Sequence, residues 1–363
     1  MSDHAILYGR SSRPLINLAR SSAARMWLAN ICILMAIIQS SMGDYFSSLI
    51  NALCAVIAAV VSEFVILNKS GRTRVLRDGS AVASALVLCL FLPNQLSPVY
   101  VMAGAIFAMV VVKHSFGGLG SNWLNPAAGG WLFVRFSWPL SFHEALAQSP
   151  LSLLKDLVDR GVLDNQGSPL GLIKTELPSL FAASPDPLGS LINNTILSFT
   201  GGEFPMGYSG LFSSPLPGIV ADRGLGAFLV GTILLVSFRV SRPWITAVFL
   251  GVFVFLVRLW GAIPYGGEVG EGDILFALLS GGTLPAAFLL VSEPATAPKS
   301  SLGILFCTIL AAVLAFYFRY YGGETYGVIY GILLINGLNP LIQLLEGKHL
   351  FGGDSWIKIR TPS

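Results

Sequence analysis

The sequence predicts an all-α polytopic membrane protein with about ten transmembrane helices, arranged as two inverted five-helix repeats that contain broken helices. Hydrophobic residues make up 54% of the chain and charged residues 11%, with a mean hydropathy of +0.71, whereas soluble domains carry about 25% charged residues. Apolar runs long enough to cross a bilayer recur along the chain. A polar, glycine-rich segment, FGGLGSNWLNPA at 116–127, interrupts them, and a bilayer accepts such a segment only where its backbone faces protein, a cofactor or water.

Ten apolar runs are predicted to form membrane helices. Five precede a long hydrophilic segment and lie at 26–42, 46–67, 79–93, 97–115 and 125–141. Five follow it and lie at 222–238, 242–262, 272–292, 301–318 and 325–345. The third, fifth, eighth and tenth runs are short or interrupted by glycine, which indicates helices that break near the middle of the membrane.

The number of helices and the distribution of charge predict the domain organisation. An odd number of crossings in each unit gives the two units opposite orientations. Most of the 22 Lys and Arg residues fall on one side if the N-terminus is inside, so both termini are expected to be cytoplasmic. We therefore expect a first five-helix repeat, an extracytoplasmic loop, and a second repeat with a cytoplasmic tail, at 1–142, 143–221 and 222–363.

The tripeptide Leu-Asn-Pro occurs twice and supports an internal duplication. The two copies lie at 124–126 and 338–340, and we interpret them as equivalent points of the two repeats. A chance match is the alternative, because glycine and asparagine are common where helices end.

Two glutamates lie in or beside apolar runs, where an ionisable side chain is costly and is a functional candidate by default. Glu63 and Glu293 are both predicted near the cytoplasmic ends of their helices. Each is a candidate for the ion route, and each can instead be a salt-bridge partner or an interfacial residue. The four cysteines and four histidines are scattered and predict no metal site. No residue is predicted to be catalytic.

Several classes of protein are excluded by the sequence. The net charge of +3 comes without the basic and aromatic patch of a nucleic-acid binder. The chain also lacks a GxGxxG fingerprint for a dinucleotide and a cysteine cluster for iron–sulfur. Paired broken helices in an inverted repeat remain compatible with a solute transporter or channel.

Four segments resemble a known family, the D subunit of Rnf complexes, which is related to the B subunit of the sodium-translocating NADH:quinone oxidoreductase. They lie at 78–93, 116–127, 280–298 and 322–342 and in their order cover nearly the whole chain. The pattern FGGxGxNxxNPA in the second segment is specific to the family. In the third, Glu-Pro-Ala-Thr-Ala stands where Thr-Asp-Pro-Val-Thr-Ala is more usual.

The resemblance implies a membrane subunit of a complex that couples electron transfer to sodium or proton movement across the bacterial cytoplasmic membrane. The expected partners are other membrane subunits and peripheral subunits that carry iron–sulfur clusters and react with NADH or ferredoxin. The chain would be one subunit of that translocase and not a complete enzyme.

The family also carries FMN, esterified through its phosphate to a threonine in the loop after the fifth span. The corresponding loop here is VLDNQGSPLGLIKTELP at 162–178, with Ser168 at the acceptor position and Asp164 as the acidic residue. The motif is two residues shorter, and Gly167 replaces an alanine. Serine supplies the same hydroxyl nucleophile, so covalent FMN at Ser168 is one interpretation and a simple turn is the other.

A second, non-covalent flavin such as riboflavin is a further expectation. Glycine lets the backbone approach a flat ring closely, and asparagine offers both a donor and an acceptor. The candidates are Gly117, Gly118, Gly120, Asn122, Asn125, Asn336 and Asn339. The predicted orientation puts 116–125 at the cytoplasmic end of the fifth span, so these residues can serve an inner site or the ion route. A flavin-free structural subunit is the alternative to both flavin sites.

Overall fold

The computed structural model describes residues 22–69, 71, 73–115, 117–118, 122, 124–147, 190–196, 208–212, 217–238, 240–265, 267–294, 296–298, 300–322 and 326–350. Within these residues the regular structure is helical, and one isolated β-bridge joins Pro93 to Ile219.

The first unit contains five helices and a short sixth: α1 Ser22–Ser41, α2 Ser47–Lys69, α3 Ser80–Phe91, α4 Pro98–Phe107 with its π-helical continuation Ala108–His114, α5 Pro126–Ser137 and α6 Pro139–Leu146. Proline begins α4, α5 and α6, where its missing N–H costs no intrahelical hydrogen bond. Asn125 caps α5 by accepting a hydrogen bond from the backbone N–H of Ala128 at 3.1 Å.

The second unit follows a short helix, α7 Val220–Arg223, and contains α8 Leu225–Ser237, α9 Pro243–Trp260, α10 Ile274–Leu279, α11 Thr283–Pro285 with its π-helical continuation Ala286–Val291, α12 Ser301–Tyr320 and α13 Gly327–Leu350. Between the two units, the structure describes the turns Ile192–Ile196 and Tyr208–Phe212.

The predicted fold class, an all-α multi-pass membrane protein, is confirmed. Among the described residues, five helices are long and apolar enough to cross a membrane: Ala23–Ser41, Ser47–Lys69, Pro243–Tyr265, Ser301–Tyr320 and Gly327–Leu344. Three shorter apolar helices accompany them: Ser80–Phe91, Pro98–His114 and Leu225–Ser237. Each of the ten predicted apolar runs contains helix.

Of the four runs predicted to break, the third begins and the eighth is interrupted at glycines, the fifth is divided at Trp138 between α5 and α6, and the break predicted in the tenth is wrong. Helix α3 begins after Gly79 (φ 76°), and Gly281 and Gly282 (φ 67° and 66°) separate α10 from α11. These left-handed conformations are accessible mainly to glycine. The tenth run, in contrast, is one continuous helix with Pro340 inside it.

The prediction that the two Leu-Asn-Pro tripeptides are equivalent is therefore also wrong. Asn125 and Pro126 stand at the start of α5, whereas Asn339 and Pro340 lie in the C-terminal half of α13. Proline suits the first position of a helix, but inside a helix it removes one backbone hydrogen bond. The Asn339 amide donates instead to the carbonyl oxygen of Thr296 at 2.8 Å.

The packing order nevertheless repeats in the two units. In the first unit α2 packs on α3 and α4, and α4 packs on α5. In the second unit α9 packs on α12 and on the π-helical part of α11, and α12 packs on α13.

A buried cation occupies the same place in each unit. The Lys113 ammonium, at the end of α4, donates to the hydroxyl of Ser80, the first residue of α3, at 2.7 Å. The Arg319 guanidinium, near the end of α12, donates to the hydroxyl of Thr283, the first residue of α11, at 2.6 Å. The equivalent positions of these two cations support an internal duplication of the chain. The two Leu-Asn-Pro tripeptides, which lie at different positions in their helices, do not support it.

The first helices of the two units, α1 and α8, pack closely against each other. A Cβ atom at Gly224, just before α8, would lie 2.1 Å from the carbonyl oxygen of Ala36, and one at Gly231 would lie 2.9 Å from the Cβ of Cys32. Glycine at these positions therefore allows the two backbones to approach more closely than side chains would permit.

Candidate functional site

A cavity of about 280 Å³ lies between the two units. The cavity lies at the end of the helix bundle where α1, α3 and α5 begin. We call this end the first face of the bundle and the opposite end the second face. Its walls come from these three helices, from the link between α8 and α9, and from α11 with the residues that follow it. Apolar side chains line most of the cavity, and the polar lining residues are Arg25, Ser84, Asn125, Ser241, Ser292 and Glu293.

Asn125 and Glu293 join the broken segments of the two units at the wall of this cavity. The Asn125 amide nitrogen donates a hydrogen bond to the Glu293 carboxylate, while its amide oxygen caps α5. Asn125 is 5% exposed. Both groups of one amide are thereby used, one to fix the helix start and one to bind a carboxylate from the other unit.

A second buried cluster surrounds Glu63 at the first face. The Lys113 ammonium lies 2.6 Å from Glu63 Oε1, and the ring nitrogen Nε2 of His114 lies 3.3 Å from the same oxygen. Glu63 and Lys113 are 0% and 1% exposed. A buried carboxylate requires such a partner. Of the three interpretations of Glu63, the geometry is that of the salt-bridge partner.

Lys113 was not singled out in the sequence, although it is as buried as the glutamate that it binds. The available signal was a lysine at the end of the fourth apolar run, followed by the FGGLGSN segment. The prediction placed it in a cytoplasmic segment, because the distribution of Lys and Arg residues assigned that segment to the inside. In the fold, Glu63 and Ser80 both lie within hydrogen-bond distance of its ammonium.

Other predicted residues of the 116–125 segment build the turn between α4 and α5. Gly118 (φ 93°) donates its backbone N–H to the carbonyl of Lys113 at 3.0 Å. Gly117 (φ 109°) donates to the carbonyl of His114 at 3.3 Å. When the Asn122 amide is assigned so that its nitrogen faces the carbonyls of Gly118 and Lys113, it donates to them at 3.0 and 3.1 Å. None of these three residues lines the 280 Å³ cavity.

A smaller cavity, of about 30 Å³, lies in the second unit next to Glu293. Its polar lining residues are Glu293, Thr296, Thr308 and Asn336. Asn336 is 5% exposed, and its amide nitrogen has no hydrogen-bond partner among the described residues. Asn339 does not line this cavity, and it contacts Thr296 as described above. Glu293 therefore lies on the wall of both cavities.

Three predicted site residues, Gly120, Asp164 and Ser168, lie outside the described residues. The candidate flavin attachment site and its acidic neighbour consequently stay predictions.

At the second face, polar contacts fix the break between α10 and α11. The Asp222 carboxylate accepts hydrogen bonds from the backbone N–H groups of Gly281 and Gly282 at 3.0 and 2.8 Å. Arg319 donates to the carbonyl oxygens of Ala277 and Ser280 at 2.9 and 3.0 Å. The sequence did not indicate these contacts, since Asp222 lies 59 residues from Gly281.

Tyr208 and Asp273 form another contact at the second face. The Tyr208 hydroxyl donates to the Asp273 carboxylate. Burial raises the pKa of Tyr208 above its ordinary value, and the neighbouring charge of Asp273 raises it further. The phenol therefore remains a proton donor in alkaline solution. Asp273 also caps α10 by accepting from the N–H of Phe276 at 3.0 Å.

Curated proteins are similar to this chain over most of its length. The D subunit of an ion-translocating oxidoreductase complex from Alcanivorax borkumensis is 31% identical over 315 residues, which cover 85% of this chain and 86% of the relative. The D subunit of a proton-translocating ferredoxin:NAD(+) oxidoreductase complex from Clostridium ljungdahlii is 28% identical and covers 94% and 95%. The D subunit of an ion-translocating oxidoreductase complex from Vibrio cholerae is 29% identical and covers 94% and 98%.

The resemblance inferred from four sequence segments is thus confirmed over most of the chain. The family model described as NQR2, RnfD, RnfE matches residues 10–352, and the chain belongs to this family.

Proposed function

We propose that the chain is the D-type membrane subunit of an ion-translocating oxidoreductase complex, and that it carries flavin. The names of the relatives support a role in ion-coupled electron transfer. The observation that carries the flavin part of the proposal is the 280 Å³ cavity between the two units. A cavity shared by two repeats, near the ends of broken helices, is where repeat-built membrane proteins bind their ligands.

The residues of this cavity fit a flat ring with one polar edge. Its volume of about 280 Å³ lies just below the range for small-molecule sites, which is roughly 300–1,000 Å³. Val87, Phe288 and Leu289 supply apolar walls that exclude water. The hydroxyl of Ser84 donates to the carbonyl of Ser80 at 3.0 Å, so its oxygen lone pairs are left to accept from a ligand.

A flavin bound here would accept and donate electrons one or two at a time. The role of this chain would be to orient the flavin ring and to hold the Glu293 carboxylate beside it. Asn125 fixes Glu293 at the cavity wall, so a change of charge in the cavity would act directly on that carboxylate. We propose this cavity for the non-covalent flavin and Ser168 for the phosphate ester of FMN.

The same proposal includes an ion route that passes Glu293. This residue borders both cavities, whereas the charge of Glu63 is already balanced by Lys113. The ion is sodium or a proton. The complex would lie in the bacterial cytoplasmic membrane with both termini of this chain cytoplasmic, and subunits with iron–sulfur clusters and sites for NADH or ferredoxin would deliver the electrons.

The covalent flavin is tested by fluorescence of the protein on a denaturing gel after expression with its native neighbours. Covalent flavin survives denaturation, so the chain should fluoresce, and its intact mass should exceed that of the bare chain by one FMN phosphoester. Ser168→Ala should abolish both signals. Thr195→Ala is the matched control, because Thr195 is an exposed hydroxyl residue in the same loop. Fluorescence that persists in Ser168→Ala would refute the assignment of Ser168.

The non-covalent flavin is tested by its release from the complex on denaturation. Ala83→Leu adds side-chain volume to the wall of the large cavity and should lower the amount released by more than half. Ala147→Leu, the same change at an exposed residue after α6, should leave it unchanged. A colourless complex, without bound flavin of either kind, would favour a solute transporter or a flavin-free structural subunit.

A further inference from the structure

The two units balance their inward-facing glutamates differently, and Glu63 is fully buried whereas Glu293 is partly exposed. In the first unit Glu63 is paired with the Lys113 ammonium at 2.6 Å. In the second unit Glu293 accepts a hydrogen bond from the neutral amide of Asn125, and within the described part of the chain it forms no salt bridge. Arg25 borders the same large cavity without an ion pair to Glu293. A carboxylate that is partly withdrawn from water is stabilised by a counter-charge or a proton.

We propose that a monovalent cation of the size of Na⁺ supplies this counter-charge in the small cavity, bound by Glu293, Thr308 and Asn336. The inference deepens the proposed function, on which it rests, by assigning the ligands of the ion. The cavity of about 30 Å³ holds two or three water-sized particles, since a single one needs roughly 10–15 Å³.

The hydroxyl of Thr308 is oriented as an acceptor toward such an ion. Its proton is donated to the carbonyl oxygen of Ile304 at 2.7 Å. The lone pairs of Oγ1 are then left for the cavity that Thr308 lines, and hard cations prefer oxygen ligands of this kind.

Asn336 supplies the second neutral ligand. It is 95% buried, its amide nitrogen has no partner among the described residues, and it lines the cavity. A buried amide N–H group without an acceptor is destabilising, and as a donor it does not itself bind a cation. Rotation of the amide by half a turn directs its oxygen to the same space. Apart from the uncharged Thr296, most of the remaining lining residues, such as Ile304 and Ile332, are apolar and leave the charge of the ion to Glu293.

The test is hydrogen exchange of the assembled complex, measured by mass spectrometry at fixed pH and ionic strength, with NaCl compared with choline chloride. Bound Na⁺ suppresses local opening by a factor of 1 + [Na⁺]/Kd, where Kd is the dissociation constant of the site. At ten times the Kd, exchange in Ala286–Val291 and around Asn336 should slow by about tenfold. Glu293→Gln and Thr308→Val should each remove most of this protection.

Ser292→Ala is the matched control. Ser292 adjoins Glu293 and lines the large cavity but not the small one, so this variant should keep the protection. Protection that is equal in all three variants, or that is absent in the native complex, would overturn the proposal. Protection that follows pH and not Na⁺ would also overturn it, because the carboxyl group would then be neutralised by a proton.

The measurement separates this inference from the proposed function. A complex that lacks flavin but shows Na⁺ protection dependent on Glu293 and Thr308 supports the cation site and refutes the flavin proposal. A flavin-containing complex without that protection refutes the cation site alone.

Discussion

Replacing Lys113 by methionine should strongly destabilise the protein. The change keeps much of the side-chain length but removes the ammonium that lies 2.6 Å from Glu63 and 2.7 Å from the hydroxyl of Ser80. Glu63 is 0% exposed, so its charge would be left in the interior with His114 as its remaining partner at 3.3 Å. Removing one member of a buried ion pair costs about 3–5 kcal/mol, and we expect a loss of this size.

The double variant Lys113→Met, Glu63→Gln should recover most of that loss. Replacing both charges removes the unpaired carboxylate, and neutral replacements of buried ion pairs are often close to neutral in stability. Lys69→Met is the matched control, because Lys69 is exposed at the end of α2. It should change the stability by less than about 0.5 kcal/mol.

The free energy of unfolding in mixed detergent micelles is measured for the native protein, for the single variants Lys113→Met and Glu63→Gln, for the double variant and for the control Lys69→Met. The coupling energy of the double-mutant cycle isolates the interaction between the two side chains. A Lys113→Met variant within about 1 kcal/mol of the native protein, or a double variant no more stable than the single one, would contradict the assignment of a buried pair.

Two further predictions concern packing and pH. Gly130→Ala should destabilise by about 1–3 kcal/mol, because its Cβ atom would lie 2.7 Å from the carbonyl oxygen of Gly104; Gly251→Ala, which meets nothing within 4 Å, should stay within about 1 kcal/mol. The pKa of Tyr208 is raised in the fold by burial and by Asp273, so the unfolded chain loses this proton first as the pH rises. Stability should therefore fall above about pH 10, where a free tyrosine ionises; Tyr208→Phe should make that fall shallower, and an unchanged slope would show that Tyr208 does not cause it.

The helices of the fold could largely be predicted from the sequence, since apolar length is a property of a local segment. The break before α11 was also predicted, because Gly281 and Gly282 interrupt the eighth apolar run. The continuity of α13 was not predicted, because glycine and proline in its sequence are equally compatible with a break. In the fold, Asn339 lies close enough to bind the backbone of Thr296, which the order of residues does not reveal.

The candidate site was predicted only in part, because the sequence shows local features but does not show contacts between distant residues. Asn125 was identified because it stands in an unusual polar segment, and Glu293 because it is an ionisable residue beside an apolar run. Their hydrogen bond joins residues 168 positions apart, and no local pattern encodes such a pairing. The pairing of Glu63 with Lys113, across 50 residues, was hidden because each residue alone resembles an ordinary charge near the end of a helix.

The tight contact between α1 and α8 determines from which side the large cavity can be reached. At Gly224 and Gly231 the two backbones leave no space for a side chain, whereas Arg25 and Leu235, nearer the first face, border open volume. The contact between α1 and α8 is therefore tight at the two glycines and opens into the cavity nearer the first face. Tilting the units about this tight contact would change the width of the opening at the first face while the contact itself stayed sealed. A molecule in the cavity would then exchange with its surroundings from one side only.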